Sequence, residues 1–186
     1  MPALSVAALV ANLPGNVKRE SRHALKGWAG SFRSAAMSSI FPFSTEIDVR
    51  GYEIDSFGHV NNAVYLSWLE HARWELGLEH RLDLTDPTAL PVVRHVTLDY
   101  RAQTLLGDRV RISVWGRSVG RTSFTYGNAI RIVGSRRDPA RVGILVLTST
   151  TVFACIDKSG QKTAVPERWR TFFPAQDPGE ALPEGV

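Results

Sequence analysis

The chain has 186 residues, 44% of them hydrophobic and 22% charged, which is enough for one domain with a sizeable core plus an extension. Its net charge of +4 is confined to the start, where Lys18, Arg19, Arg22, Lys26 and Arg33 face Glu20 alone; overall charge therefore gives a nucleic-acid surface on the domain no support. The lone Cys155 excludes an internal disulfide framework, and no apolar run is long enough and free enough of Thr or Pro to span a bilayer, so a soluble protein is expected.

Residues 1–40 read as a basic, Ser- and Ala-rich extension. An apolar run from Ala3 to Leu13 stops at Pro14-Gly15, and Lys18, Arg22 and Lys26 then recur at helical spacing. Three readings stand: a cleavable organelle leader, a membrane-surface helix, or an upstream extension of no function, since Met37 is itself a possible start. The expected location is the cytoplasm, or an organelle matrix if the segment is a leader.

The domain is expected over residues 41–173. Thr45, Ile47 and Val49 alternate with Glu46, Asp48 and Arg50, the pattern of a half-buried strand. A loop with Asp55 and Gly58 follows, and then Tyr65, Leu69, Ala72 and Leu76 at helical spacing. Val64, Leu66, Trp68 and Trp74 widen that apolar surface, so the helix is expected to be enclosed by sheet. Asn61 has the side chain of an N-cap, and Gly77 with Asp86-Pro87 brackets the helix end. Four strand-like runs follow: Val96 to Tyr100, Val110 to Val114, Phe124 to Ile132, and Val142 to Ile156. The last is the longest, and is expected to be central and covered on both faces. From Pro174 to Val186 the chain reads as a loose tail. One strand, one long helix and a strand meander make an α+β order in which the sheet wraps the helix.

A strand, loop and helix N-terminus in succession suit catalysis. The first N-H groups of a helix lack partners within it, and they can polarise a carbonyl that a nearby carboxylate, here Asp55, attacks directly or through water.

The string Asp55-Ser56-Phe57-Gly58-His59-Val60-Asn61-Asn62, followed by Tyr65 and by Leu69-Glu70-His71-Ala72-Arg73, resembles the 4-hydroxybenzoyl-CoA thioesterase family of hotdog-fold acyl thioesterases. The likeness runs from about Phe43 to Phe173. It implies one long central helix wrapped by a mainly antiparallel sheet of five or six strands, and hydrolysis of an acyl-CoA or acyl-carrier-protein thioester. It also implies homodimers, or dimers of dimers, paired edge to edge with active sites between protomers. In the roles it transfers, Asp55 is the general base or the nucleophile and the backbone N-H of Asn62 holds the thioester oxygen, with His59 a secondary catalytic candidate. Gly58, Val60, Asn61, Tyr65, Arg94, Arg117 and Arg121 are the substrate-binding candidates, the arginines toward the phosphates of coenzyme A.

Plainer readings stand beside these. Asn61 suits a helix cap better than a ligand, His59 beside Gly58 suits a structural hydrogen bond, and Glu70 with Arg73 suits an i,i+3 pair. Two other activities fit less well. His59 with Glu70 imitates the pair of a hotdog dehydratase, but no Pro-Gly segment leads into the helix. A non-catalytic acyl-binding module has no need of a charge such as Asp55 beside an apolar chain. No cofactor is expected. His23, His59, His71, His80 and His95 form no ligand spacing for a metal, and no Gly-rich phosphate loop is present.

Overall fold

The computed structural model describes residues 42–173, 182, 183 and 186. The extension expected over 1–40 and most of the tail expected over 174–186 therefore lie outside the described residues. The elements are β1 (Phe43–Asp48), a 3-10 turn (Gly51–Glu53), α1 (Asn62–Glu79), β2 (Leu90–Tyr100), β3 (Asp108–Val119), β4 (Ser123–Ser135), β5 (Leu145–Ile156) and α2 (Glu167–Arg170). The strands form one five-stranded sheet in the order β1-β3-β4-β5-β2, with every neighbouring pair antiparallel. This is the α+β hotdog architecture, with α1 against the sheet's inner face.

Register makes the core. Phe43 and Ile47 of β1 sit opposite Val114 and Val110 of β3; Val110 and Ile112 sit opposite Ile132 and Ile130 of β4, and Ile130 opposite Leu147 of β5. Because side chains alternate along a strand, this register places one apolar set on one face. α1 fills that face with Tyr65, Trp68, Leu69, Ala72 and Leu76, all buried. The apolar spacing read from the sequence thus matches the buried stripe.

α1 ends at Glu79 with His80 as its cap, between Gly77 and Asp86 as expected. Gly77 is also a packing contact, since a Cβ there would stand 2.6 Å from Leu84 Cδ1. Two expectations need correction. The strand expected from Val142 begins at Leu145, because Val142 caps a 3-10 turn and Gly143 takes a positive φ of 93°. β5 is hydrogen-bonded on both sides, yet its outer face (Thr148, Thr150, Val152, Ala154) is only half-buried; the most enclosed strands are β3 and β4.

Nor is α1 fully enclosed within one chain. Leu66, Trp74 and Leu78 are exposed at 43%, 46% and 71%. Among the described residues β2 is an edge strand with Val92, Val93 and Tyr100 open to solvent, so an apolar helix flank and an unpaired strand edge lie side by side.

Candidate active site

One backbone hydrogen bond holds the loop after β1 against the segment before β3, and a second closes the loop on itself. The Val60 N-H donates to the Thr104 carbonyl at 2.9 Å, and the Asn61 N-H to the Glu53 carbonyl at 2.9 Å. An isolated bridge between Ile54 and Val60 narrows the loop into a short hairpin with Asp55 to His59 at its tip. The Gly58 N-H closes a turn on the Asp55 carbonyl at 3.1 Å, and Gly58 leaves it at φ 83°, a conformation that favours glycine. The sequence folds here as an Asx turn, because Asp55 Oδ1 accepts the Phe57 N-H at 2.9 Å.

That bond fixes the carboxylate of Asp55 and leaves Oδ2 without a hydrogen bond among the described residues. The side chain is 23% exposed, neither sunk in the core nor waving in solvent. His59 Nδ1 stands 3.9 Å from Asp55 Oδ1, too far for a hydrogen bond, and its ring stacks on the exposed Phe57.

Three residues beyond, α1 begins. Asn61 is its N-cap, with its side-chain oxygen accepting the Ala63 N-H at 2.9 Å while its carbonyl takes the Val64 N-H at 3.0 Å. The Asn62 N-H, first in the helix, makes no hydrogen bond among the described residues, so it is an open donor at the positive end of an 18-residue helix dipole. Tyr100, on β2, donates its hydroxyl to the Asn62 carbonyl at 2.9 Å and ties this tip to the sheet edge.

The other candidates fall in two groups. Val60 and Tyr65 are buried, and the Tyr65 hydroxyl donates to Thr104 Oγ1 at 3.1 Å, so both brace the loop from within. The three arginines lie elsewhere in the chain. Arg94 and Arg117 are the extra residues at register shifts in β2 and β3, where a bulge re-aims a side chain, and Arg121 lies in the turn from β3 to β4. The Asp55 loop adjoins the Asp108 end of β3. At about 3.3 Å per residue, Arg117 is then roughly 30 Å along that strand, and Arg94 is roughly 20 Å along β2 from Tyr100. Arg117 also faces outward, donating to Thr150 Oγ1 at 3.1 Å. No single chain brings these arginines to the loop.

Sequence reasoning missed two buried carboxylates. Glu53 is 4% exposed and accepts from the Arg50 N-H at 2.7 Å and from Trp68 Nε1 at 2.9 Å, which pins the loop to α1. Asp108 is 1% exposed and accepts from the Arg141 guanidinium at 3.0 Å and the Leu105 N-H at 2.9 Å. Burial pushes its pKa up, but the bonds from Arg141 and Leu105 outweigh it and hold the carboxyl below its ordinary value. Both are ordinary acids in the sequence, and their distant partners, Trp68 and Arg141, lie on other elements. Cys155 is buried and free, with burial raising its pKa, which suits an inert thiol. Among the described residues no group of three or more His, Cys, Asp or Glu is placed to hold a metal, and no helix is long and apolar enough to cross a membrane.

The family model described as the thioesterase superfamily matches residues 57–138. The long-chain acyl-CoA thioesterase FadM of Escherichia coli (strain K12) is 34% identical over 126 residues, covering 66% of this chain and 89% of FadM. A solved thioesterase from Thermus thermophilus, complexed with coenzyme A and Zn, is 29% identical with a TM-score of 0.59, covering 71% of this chain and 92% of that one. The 1,4-dihydroxy-2-naphthoyl-CoA thioesterase Slr0204 of Synechocystis, at 19% identity, shares the fold with a TM-score of 0.60 over 69% of this chain and 93% of its own. A sheet wrapped about one long helix accords with these relatives: the chain belongs to the thioesterase superfamily and is a thioester hydrolase.

Proposed function

We propose that the protein hydrolyses acyl-CoA thioesters, with Asp55 as the general base or the nucleophile and the Asn62 N-H as the donor that polarises the carbonyl. The observation that carries this reading is the Asn62 N-H at the tip of α1, unpaired among the described residues and joined to Asp55 by a loop held by backbone bonds from Asp55, Gly58, Val60 and Asn61. A donor already oriented in the resting protein needs no reorganisation as negative charge develops on the thioester oxygen. The likeness to FadM and to the coenzyme A-bound thioesterase supports coenzyme A as the thiol carrier. The test is thiol release from a panel of acyl-CoA and acyl-carrier-protein thioesters. Absence of release from every acyl-CoA sinks the reading, and release from the carrier protein alone changes the carrier.

Asn62→Pro isolates the donor. Proline is well suited to the first position of a helix, where its missing N-H costs no helical bond, and Asn61 at φ -58° and ψ 138° already has the backbone that precedes proline. Melting should be preserved while thiol release falls about 10²–10³-fold. Full activity in Asn62→Pro would remove this N-H from the mechanism.

We further propose that two chains pair through the edges of β2. The exposed Val92 and Val93 and the unpaired backbone of that strand would be covered together, along with Leu66. Leu66 lies on the side of α1 that faces β2, at helical spacing from Asn62, whose carbonyl accepts from Tyr100. Light scattering should give the mass of a dimer or tetramer, and Leu66→Glu should shift it toward the monomer with loss of thiol release. An unaltered protein that runs as a monomer contradicts the pairing.

A further inference from the structure

Between the second half of α1 and the inner face of β2, β4 and β5 lies a cavity of about 120 Å³, walled chiefly by Leu76, Leu84, Phe124 and Phe153. Four polar side chains interrupt this apolar lining: Glu70, Arg73, Tyr126 and Trp169. The Arg73 guanidinium lies over the Phe153 ring, 5.3 Å from its centroid, and makes no ion pair or hydrogen bond among the described residues; Glu70, on the same wall and exposed, and the buried Tyr126 act on it only through charge. Trp169 is 3% exposed, and its indole N-H is buried with no acceptor among the described residues.

Arg73 and the Trp169 indole both donate and neither accepts. A hydrocarbon end in this cavity would leave a desolvated cation and a buried N-H unanswered, whereas an oxygen acceptor would answer both. The cavity is smaller than the roughly 150 Å³ that encloses a benzene ring, so it admits the end of an acyl group and not the whole. At about 1.5 Å per residue, Arg73 stands roughly 16 Å along α1 from Asn62, the reach of a medium or long chain from its carbonyl.

We propose that this cavity receives the far end of the acyl group, and that Arg73 and the Trp169 indole N-H select chains ending in a hydroxyl or carboxyl oxygen over plain hydrocarbon ends. The inference rests on the acyl thioesterase reading, with the site it adds lying beyond the reacting carbonyl.

The experiment compares kcat/KM for saturated acyl-CoAs with their ω-hydroxy and ω-carboxy counterparts of equal length, from medium to long chains. The unaltered protein should favour the oxygenated member of at least one pair by about tenfold or more, since a site built to hydrogen-bond an oxygen rejects the analogue that lacks it. Arg73→Met should collapse that ratio, Arg73→Lys should restore part of it, and Trp169→Phe should lower it. Calorimetric titration with free ω-hydroxy and unsubstituted acids gives a readout independent of turnover, and independent of whether Arg73→Met folds. Tighter binding of the oxygenated acid without hydrolysis of any acyl-CoA would keep the site and overturn the hydrolase reading. Equal kcat/KM and equal binding for both members of every pair, or a preference that survives both Arg73→Met and Trp169→Phe, overturns the site.

Discussion

Asp55→Asn should lower thiol release from an acyl-CoA by about 10²–10⁴-fold, the usual contribution of a positioned acid-base side chain, while melting temperature and oligomeric mass stay unchanged. The structure makes this substitution selective. Asp55 holds the loop through Oδ1, which accepts the Phe57 N-H, and through its backbone N-H, which donates to the His59 carbonyl at 2.9 Å. An asparagine keeps both bonds, so the turn into α1 survives and only the charge is lost. Retention of wild-type turnover would leave the reaction without its carboxylate and overturn the proposed mechanism. In a single turnover in heavy-oxygen water, label found in the Asp55 carboxylate would assign it as nucleophile.

Asp108→Ala should cost about 3–5 kcal/mol of stability, the range for removing one partner of a buried ion pair. Asp108 is 1% exposed, and its partner Arg141 has a side chain only 14% exposed, so the guanidinium left behind would be short of both solvent and counter-charge. The loss would reach the active-site loop. Arg141 also donates to the Gln103 carbonyl at 2.6 Å, the Leu105 N-H donates to Asp108, and the intervening Thr104 carbonyl accepts the Val60 N-H. Urea unfolding checks the magnitude, and a change below about 1 kcal/mol would show that the pair is solvated. The pH dependence has a definite sign. The folded pKa of Asp108 lies below its ordinary value of 3.8, so its stabilisation is present in full above that value and is lost as pH falls through the lower folded one. Asp108→Asn should therefore flatten the acid limb of the stability profile and leave the slope near neutrality unchanged.

Much of the fold is legible in local pattern. Alternation in Thr45, Ile47 and Val49 marks a strand, and the spacing of Tyr65, Leu69, Ala72 and Leu76 marks the buried stripe of α1, because each periodicity belongs to one backbone geometry. Asn61 as the helix cap is legible for the same reason, since its oxygen reaches an N-H only two residues on. Gly77 and Asp86 bracket the end of α1 in the sequence, but the contact of Gly77 with Leu84, which returns after the turn to pack against it, is not legible there. The arginines are a larger case. Arg94, Arg117 and Arg121 are equivalent as charges in a sequence, but register shifts in β2 and β3 and the length of those strands hold them far from the loop of their own chain.

By itself, then, the sequence determined the order of elements, the apolar stripe of α1 and the motif from Asp55 to Asn62, because these depend on neighbours within a turn or a strand. Tertiary structure alone decided that the Tyr65 hydroxyl is committed to Thr104, that Glu53 and Asp108 are buried with Trp68 and Arg141 as partners, and that Arg73 and Trp169 line one cavity. Each of those joins residues far apart in the chain, and a hydrogen bond or cavity wall depends on distances that no local periodicity encodes.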